Sequence, residues 1–545
     1  MDGVGAVILA VVALAILIWI SNRVSESQRR QERERKAAEA RRLSDCEDVV
    51  RYFANFHGYL ARQVVSREEL EEQIDSGVSA DELSQFIVGR MYEVDGPELG
   101  YQQIGGAQAP VILPVQYRDK HVYVVGKSGY GKTNFLRYLI LQDINAGHGV
   151  GVLAPEFELL QEEILPFIPD HRKDDVIYFN PADVECPVVL NPLYLDKYAD
   201  IDLQVDEAFT IFQRVVGEGG PRMDEILRHT LYALTERSGS TLLDVERLLD
   251  RNNDELRKEI VRTTEDDRTR SFFASTYLQM PKDAHLPILN RIGRFVRARY
   301  IRNCLCPPMQ TTLSPDEVTH RLLNIRRAMD QGKILLFNLS DGLLGEVASQ
   351  LIGQLIVSKF QTATMSRANV AKHNRTPFYL YLDEFQNFCG VAARSYERIL
   401  SRARKYGLGL ILAHQQTGQI PLELMREILG NVSTLVSFQL SQPDAVRMSR
   451  EFVTQFDFDV EPIPPQEFLQ LNVGEAWVKI GRSAFPMRVP KVDEVSEQDV
   501  ALEIIESSRS QYGIPRVRMK PTPRPGKEQG GDDPLADLDP EGIFD

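Results

Sequence analysis

The stretch His121–Ile144, HVYVVGKSGYGKTNFLRYLILQDI, constrains the fold more than any other part of the chain. β-prone residues from His121 to Val125 run into Gly126, Lys127, Ser128, Gly129, Tyr130, Gly131, Lys132 and Thr133, which fit G-x-x-x-x-G-K-[ST]. Apolar Phe135, Leu136, Leu139, Ile140 and Ile144 then recur at helical spacing. A strand, a glycine loop and a helix in that order converge backbone N–H groups on a phosphate at a helix N-terminus. In this reading the whole loop, Gly126 to Thr133, binds a nucleotide. Lys132 reaches its β- and γ-phosphates, and the Thr133 hydroxyl serves Mg2+.

Further strands are expected at Val150–Leu153, Val176–Phe179, Lys333–Asn338, Phe378–Leu382, Leu408–Ala413 and Thr434–Leu440, with a closing hairpin from Ala476–Ile480 and Phe485–Val489. Their alternation with helical segments implies an α/β fold with a parallel sheet. Asp200 to Ile325 is helix-rich and poor in strand signals, which predicts a helical insertion. The run FYLYL ends on Asp383 and Glu384, where a sheet edge meets a phosphate loop. There the aspartate can hold Mg2+ or its water, and the glutamate can orient and polarise an attacking water. LGLILA ends at His414, Gln415 and Gln416. An amide in that place can contact a γ-phosphate and report its loss, or it can be a polar strand end without a ligand.

A composition of 43% hydrophobic and 26% charged residues is that of a globular chain, and a net charge of -15 argues against indiscriminate coating of nucleic acid. The five cysteines form no C-x-x-C pair and read as reduced structural thiols. Val4 to Ile20 is uncharged and closes on Trp19 and Ile20, with Arg23, Arg29, Arg30, Arg33, Arg35 and Lys36 following. That pattern predicts an uncleaved single-pass anchor with the body in the cytoplasm. Ser25 to Arg42 reads as a solvated helix or stalk, and Cys46 to Val94 as a small helical domain. Beyond about Ser508 the chain is Pro/Gly-rich and then acidic, through Asp532, Asp533, Asp537, Asp539, Glu541 and Asp545, which predicts a disordered tail. Two basic clusters stand out: Arg394, Arg398, Arg402, Arg404 and Lys405, and Arg291, Arg294, Arg297, Arg299 and Arg302. Each fits either a phosphate-lined pore with an arginine finger or a solvated face paired with nearby acids.

Taken in order, GKSGYGKTNFLRYLILQDINAGHGVGVL, DDVIYFNPADVECPVVLNPL, LPILNRIGRFV, KILLFNLSDGLLGEVASQLIGQLIVSKFQ, FYLYLDEFQNF and ARKYGLGLILAHQQTGQI resemble the type IV secretion and conjugative coupling ATPases (TraG/TraD-like) of the HerA/FtsK superfamily. The resemblance spans Pro110 to Val489. It implies a RecA-like P-loop core with an inserted all-α domain, a hexameric ring, ATP and Mg2+ as cofactors, and DNA translocation. It further implies Lys132 and Thr133 at phosphate and metal, Asp383 and Glu384 at metal and water, Gln415 as γ-phosphate sensor, and secretion-channel or relaxase partners at the cell inner membrane. On this reading the chain divides into an anchor (1–22), a stalk and small helical domain (23–109), a first core part (110–199), the insertion (200–330), a second core part (331–505) and the tail (506–545). Two departures from the family pattern are the turn Ala154-Pro155-Glu156-Phe157-Glu158, where Glu156 or Glu158 replaces the usual acid, and Gln439 in place of an arginine. If that arginine is the family's finger, Arg404 or Arg447 would have to act here, or turnover is weak. Two other functions share these motifs: an ATPase for pilus or channel assembly that never touches DNA, and a tethered nucleotide-binding scaffold with little turnover.

Overall fold

A computed structural model of the chain describes every residue except 1, 57–58, 61–63, 105–106, 196–199, 217–219, 253, 391–392, 457–458, 493–497 and 518–545. Its strands are β1 (Glu98–Ile104), β2 (Ala107–Ile112), β3 (Val122–Val125), β4 (Gly149–Ala154), β5 (Val176–Phe179), β6 (Ile334–Asn338), β7 (Phe378–Leu382), β8 (Leu408–His414), β9 (Thr434–Ser437), β10 (Val453–Phe456), β11 (Asp459–Pro462), β12 (Glu475–Ile480) and β13 (Ser483–Arg488). Among the described residues, β10 pairs with β11, and the rest form an 11-stranded sheet in the order β2-β1-β13-β12-β9-β3-β8-β7-β4-β6-β5. Neighbours from β9 to β5 are parallel, and those from β9 outward to β2 are antiparallel.

The parallel strands read as unbroken apolar runs because both their faces are covered. Alternation along each strand sorts residues between two cores. Val125, Leu153, Leu335, Leu380 and Leu410 lie in one, and Val124, Val152, Leu336, Tyr381 and Ile411 in the other. The first core receives the insertion, through Phe209 of helix Ile201–Val216 and Ile226 of helix Pro221–Glu236, and also Ile356 of helix Glu346–Ser366. The second receives Phe135 of the loop helix Lys132–Asn145 and Ile504 of helix Gln498–Tyr512. The insertion joins β5 to β6 and holds no strand among its described residues from 201 to 330.

Several expectations are corrected. His121 does not belong to the first strand: its φ is 68°, and its buried Nδ1 accepts from Leu410 N at 3.0 Å. The strand expected to reach Leu440 stops at Ser437, because Phe438 and Gln439 turn away to brace the phosphate loop. The helices of the small domain expected at Cys46–Val94 have no core of their own. Cys46, Val49, Phe53, Leu83 and Ile87 sit in the same core as Phe135, and β1 and β2 extend the sheet. The anchor and stalk fall in one helix, Asp2–Phe56, whose residues 27–41 are exposed. The side chains from Val4 to Ile18 and of Ile20 lie outside the described residues, and among the described residues no helix is long and apolar enough to cross a membrane. The tail boundary expected at 506 falls inside helix Gln498–Tyr512, and Ile514 beyond it is buried, its N–H donating to Pro187 O at 3.0 Å. The acidic residues from Asp532 onward lie outside the described residues.

Candidate nucleotide site

Val125 at the end of β3 is in register with His414 at the end of β8, and β7 flanks β8 on its other side. The loop after β3 and the acids after β7 therefore approach each other over the end of β8, where Gln415 stands. Lys132 Nζ lies 3.9 Å from Glu384 Oε1. Gln415 Nε2 donates to that same oxygen at 2.8 Å. Lys132, Glu384 and Gln415 thus share one pocket, and Asp383 is buried beside them. Burial first, and then the charges of Glu384 and Glu156, push the Asp383 carboxyl up to about 7 against the pull of Lys132. Glu156 is exposed, yet its charge reaches Asp383, which fits its place in the altered turn after β4.

The loop is shaped by its glycines and braced from outside. Gly129 and Gly131 hold φ of 82° and 108°, a region that disfavours side chains, and a Cβ on Gly126 would stand 2.5 Å from Phe438 Cβ. Helix Lys132–Asn145 has Gly131 as its N-cap and takes no side-chain cap, so its first N–H groups are left for an external acceptor. Thr133 lies in that first turn. Lys127 and Ser128 are exposed, whereas Tyr130 is half-buried and accepts from Gly474 N at 3.1 Å. Lys127 N donates to Gln439 O at 2.8 Å, and its Nζ lies 3.4 Å from Gln439 Oε1. Gln439 therefore holds the loop itself. Asn134 Nδ2 donates to Pro490 O at 2.9 Å, fixing the helix start to the chain beyond β13.

Beneath the pocket, polar groups tie the same elements together. Asp143 of the loop helix is bound by Arg118 and by the Tyr381 hydroxyl of β7, with the Arg118 guanidinium 3.6 Å over the Tyr379 ring. The Tyr123 hydroxyl of β3 meets His414 Nε2, and the Phe385 ring packs edge-on against His414 with centroids 4.9 Å apart. Burial holds the His414 imidazole down at about 3, so it is neutral.

Among the described side chains, Arg447 and Arg404 have their partners elsewhere. Arg447 donates to Thr417 Oγ1 at 3.0 Å, as part of a cluster with Asp444. Arg404 precedes β8, at the sheet edge opposite the loop, where its charge acts on Asp119. Arg398 and Arg402 are exposed on helix Ala393–Arg402, whose other face buries Tyr396 and Ile399. The side chains of Arg291, Arg294 and Arg394 lie outside the described residues. Asn134, Gln439 as a brace and Gly474 carry no signal in the sequence, because each acts through a contact between segments far apart. Only Gln386, two residues past Glu384, had a signal close to a motif.

Fold and pocket define a class: a P-loop protein whose acid-bearing strand is separated from the loop strand by one other. The chain is similar to plasmid coupling protein TrwB in complex with the non-hydrolysable ATP analogue ADPNP, with a TM-score of 0.52 and 16% identity over 76% of this chain and 94% of that one. It is similar also to the bacterial conjugative coupling protein TrwBdeltaN70 in its unbound monoclinic form, with a TM-score of 0.50 and 15% identity over 76% and 93%. The TrwB complex with the GTP analogue GDPNP gives a TM-score of 0.50 and 15% identity over 76% and 94%. At such identities the likeness is one of fold. Residues 377–457, which carry β7, β8 and β9, match the family described as the TraM recognition site of TraD and TraG. Comparison with curated protein sequences gives no significant match. The resemblance to P-loop ATPases of the conjugative coupling-protein type thus holds in fold and in this segment.

Proposed function

We propose that the chain is a membrane-anchored ring ATPase that couples ATP hydrolysis to translocation of DNA or a nucleoprotein, as in conjugation and type IV secretion. The observation that carries this reading is the convergence of Lys132, Glu384 and Gln415, with Asp383 beside them, at the C-terminal edge of a TrwB-like sheet. In this reading the uncapped helix start and Lys132 bind the β- and γ-phosphates, Glu384 orients the attacking water, and Gln415 senses the γ-phosphate. Among the described residues no three His, Cys, Asp or Glu form a metal cage. A nucleotide-borne Mg2+ needs none, since it takes one or two protein oxygens with phosphates and waters. Asp383, whose carboxyl is pushed up first by burial and then by the charges of Glu384 and Glu156, fits such a cation, and would hold it with the Thr133 hydroxyl in the first turn of the loop helix. When bound, Mg2+ would neutralise developing phosphate charge.

Val4–Ile20 would serve as a single-pass inner-membrane anchor with the body in the cytoplasm, and a hexamer would place a neighbour's arginine at the pocket. The segment 377–457 makes a relaxosome protein of the TraM type a candidate partner. The test is ATP turnover and DNA binding by the detergent-solubilised chain across a salt series. Turnover stimulated by DNA, with affinity falling steeply as salt rises, is the expected result. Turnover without DNA binding would move the reading to an ATPase for channel or pilus assembly.

A further inference from the structure

The turn that follows β7 holds Glu384 in an unusual way. Glu384 has φ 44°, one of two non-glycine residues with positive φ among those described, and it caps the short helical turn Phe385–Phe388. Gln386 Nε2 donates to Glu384 Oε2 at 2.8 Å. Gln415 Nε2 donates to Oε1 at 2.8 Å, and Lys132 Nζ lies 3.9 Å from that oxygen. The two carboxylate oxygens are therefore held from opposite sides by carboxamides on different strands' ends. Gln386 has little freedom to leave, because Phe385 and Phe388 on either side of it are buried, with Phe385 packed on His414 and Tyr396. Its own Oε1 is buried without a hydrogen-bond partner. A buried acceptor left unsatisfied is unfavourable. Among the described residues, the one side-chain hydrogen bond of Gln386 is therefore the one its N–H makes to Glu384.

We infer that Gln386 is a positioning residue for hydrolysis: it fixes Oε2 of Glu384, so that Oε1 becomes the free base when a bound γ-phosphate draws Lys132 and Gln415 away. This deepens the ATPase reading and rests on it. In the step itself, the water oxygen bonds to the γ-phosphorus, and the bond from that phosphorus to the β–γ bridging oxygen breaks. One water proton passes to Glu384 Oε1. ATP and water become ADP and phosphate, and the proton is released from Glu384 afterwards. With Oε2 tied down, the carboxylate cannot rotate out of line as Oε1 is released. Without Gln386 it can.

The test uses the full-length chain and the Gln386→Met variant, which keeps length and loses the donor, each also in a Glu384→Ala background. Turnover number, KM for ATP and affinity for a non-hydrolysable ATP analogue are measured for all four. Expected is a loss of about tenfold or more in turnover for Q386M, up to the roughly 100- to 10,000-fold that a general base contributes. KM and analogue affinity should stay within about twofold, and Q386M should change the residual rate of the E384A chain by less than about twofold. An equal loss in both backgrounds, a change in KM alone, or unchanged turnover would overturn the inference. Should Q386M fail to fold, Gln386→Ser is read in its place. If the wild-type chain itself does not hydrolyse ATP, the ATPase reading falls and takes this inference with it. A normal wild type with an unaffected variant removes the inference alone.

Discussion

Replacing Asp383 with asparagine is expected to stabilise the nucleotide-free chain above neutral pH while abolishing its turnover. Burial and neighbouring charge raise the Asp383 carboxyl from 3.8 to about 7. Between those values the folded chain keeps a proton that the unfolded chain has released, so stability is full below about pH 4 and declines as pH rises through 7. Asparagine mimics the protonated acid and does not lose this stability. At about 1.4 kcal/mol for each unit, the variant gains on the order of 4 kcal/mol over wild type at pH 8 and less than about 2 kcal/mol at pH 5. A chain of this length has an unfolding entropy of roughly 1 kcal/mol per degree, so the difference in melting temperature is about 4 °C at pH 8 and under about 2 °C at pH 5. Thermal unfolding in the presence of a chelator, followed at both pH values, reads this directly. A variant that melts at or below wild type at pH 8, or a shift that ignores pH, refutes the environment assigned to Asp383.

Gly126→Ala is expected to destabilise the chain by about 1–3 kcal/mol and weaken analogue binding, because the new methyl meets the Phe438 Cβ position at 2.5 Å; thermal melts and analogue titration check it. Arg118→Met leaves Asp143 buried without its cation and is expected to cost about 3–5 kcal/mol, whereas Arg118→Met with Asp143→Leu recovers much of that loss; comparing the melting temperatures of the two variants decides it.

The glycine loop after β3, the acid pair after β7 and the strand that ends at His414 were legible as elements because their signals are local. Each is a short buried run ending in a few polar residues, and β7 and β8 run as FYLYL and LGLILAH do. The insertion was legible for the same reason, as helical periodicity replacing strand runs between β5 and β6. What holds these pieces in register was not. Asp143 meets Tyr381 across 238 residues of chain, and Lys127 meets Gln439 across 312, distances over which no spacing rule applies. His121 looks β-prone, yet a tertiary bond from Leu410 N to its ring fixes it in a left-handed conformation. The change from apolar to charged residues near Arg23 suggested a boundary between elements. No proline or glycine falls between Gly5 and Gly58, so the backbone has no reason to break and runs as one helix to Phe56. Gln386 was readable as a residue next to a motif, but its bond to Glu384 depends on a backbone turn that only the folded chain reveals.

The central claim is that a triphosphate is held by Lys132 and hydrolysed through Glu384 in one pocket. The most direct measurement compares ATP hydrolysis and nucleotide-analogue binding by the wild-type chain, Lys132→Ala and Glu384→Gln, with Mg2+ present. Wild type should bind and hydrolyse, Lys132→Ala should lose both, and Glu384→Gln should keep binding while turnover falls by about 100-fold or more. Hydrolysis at the wild-type rate by either variant would contradict it.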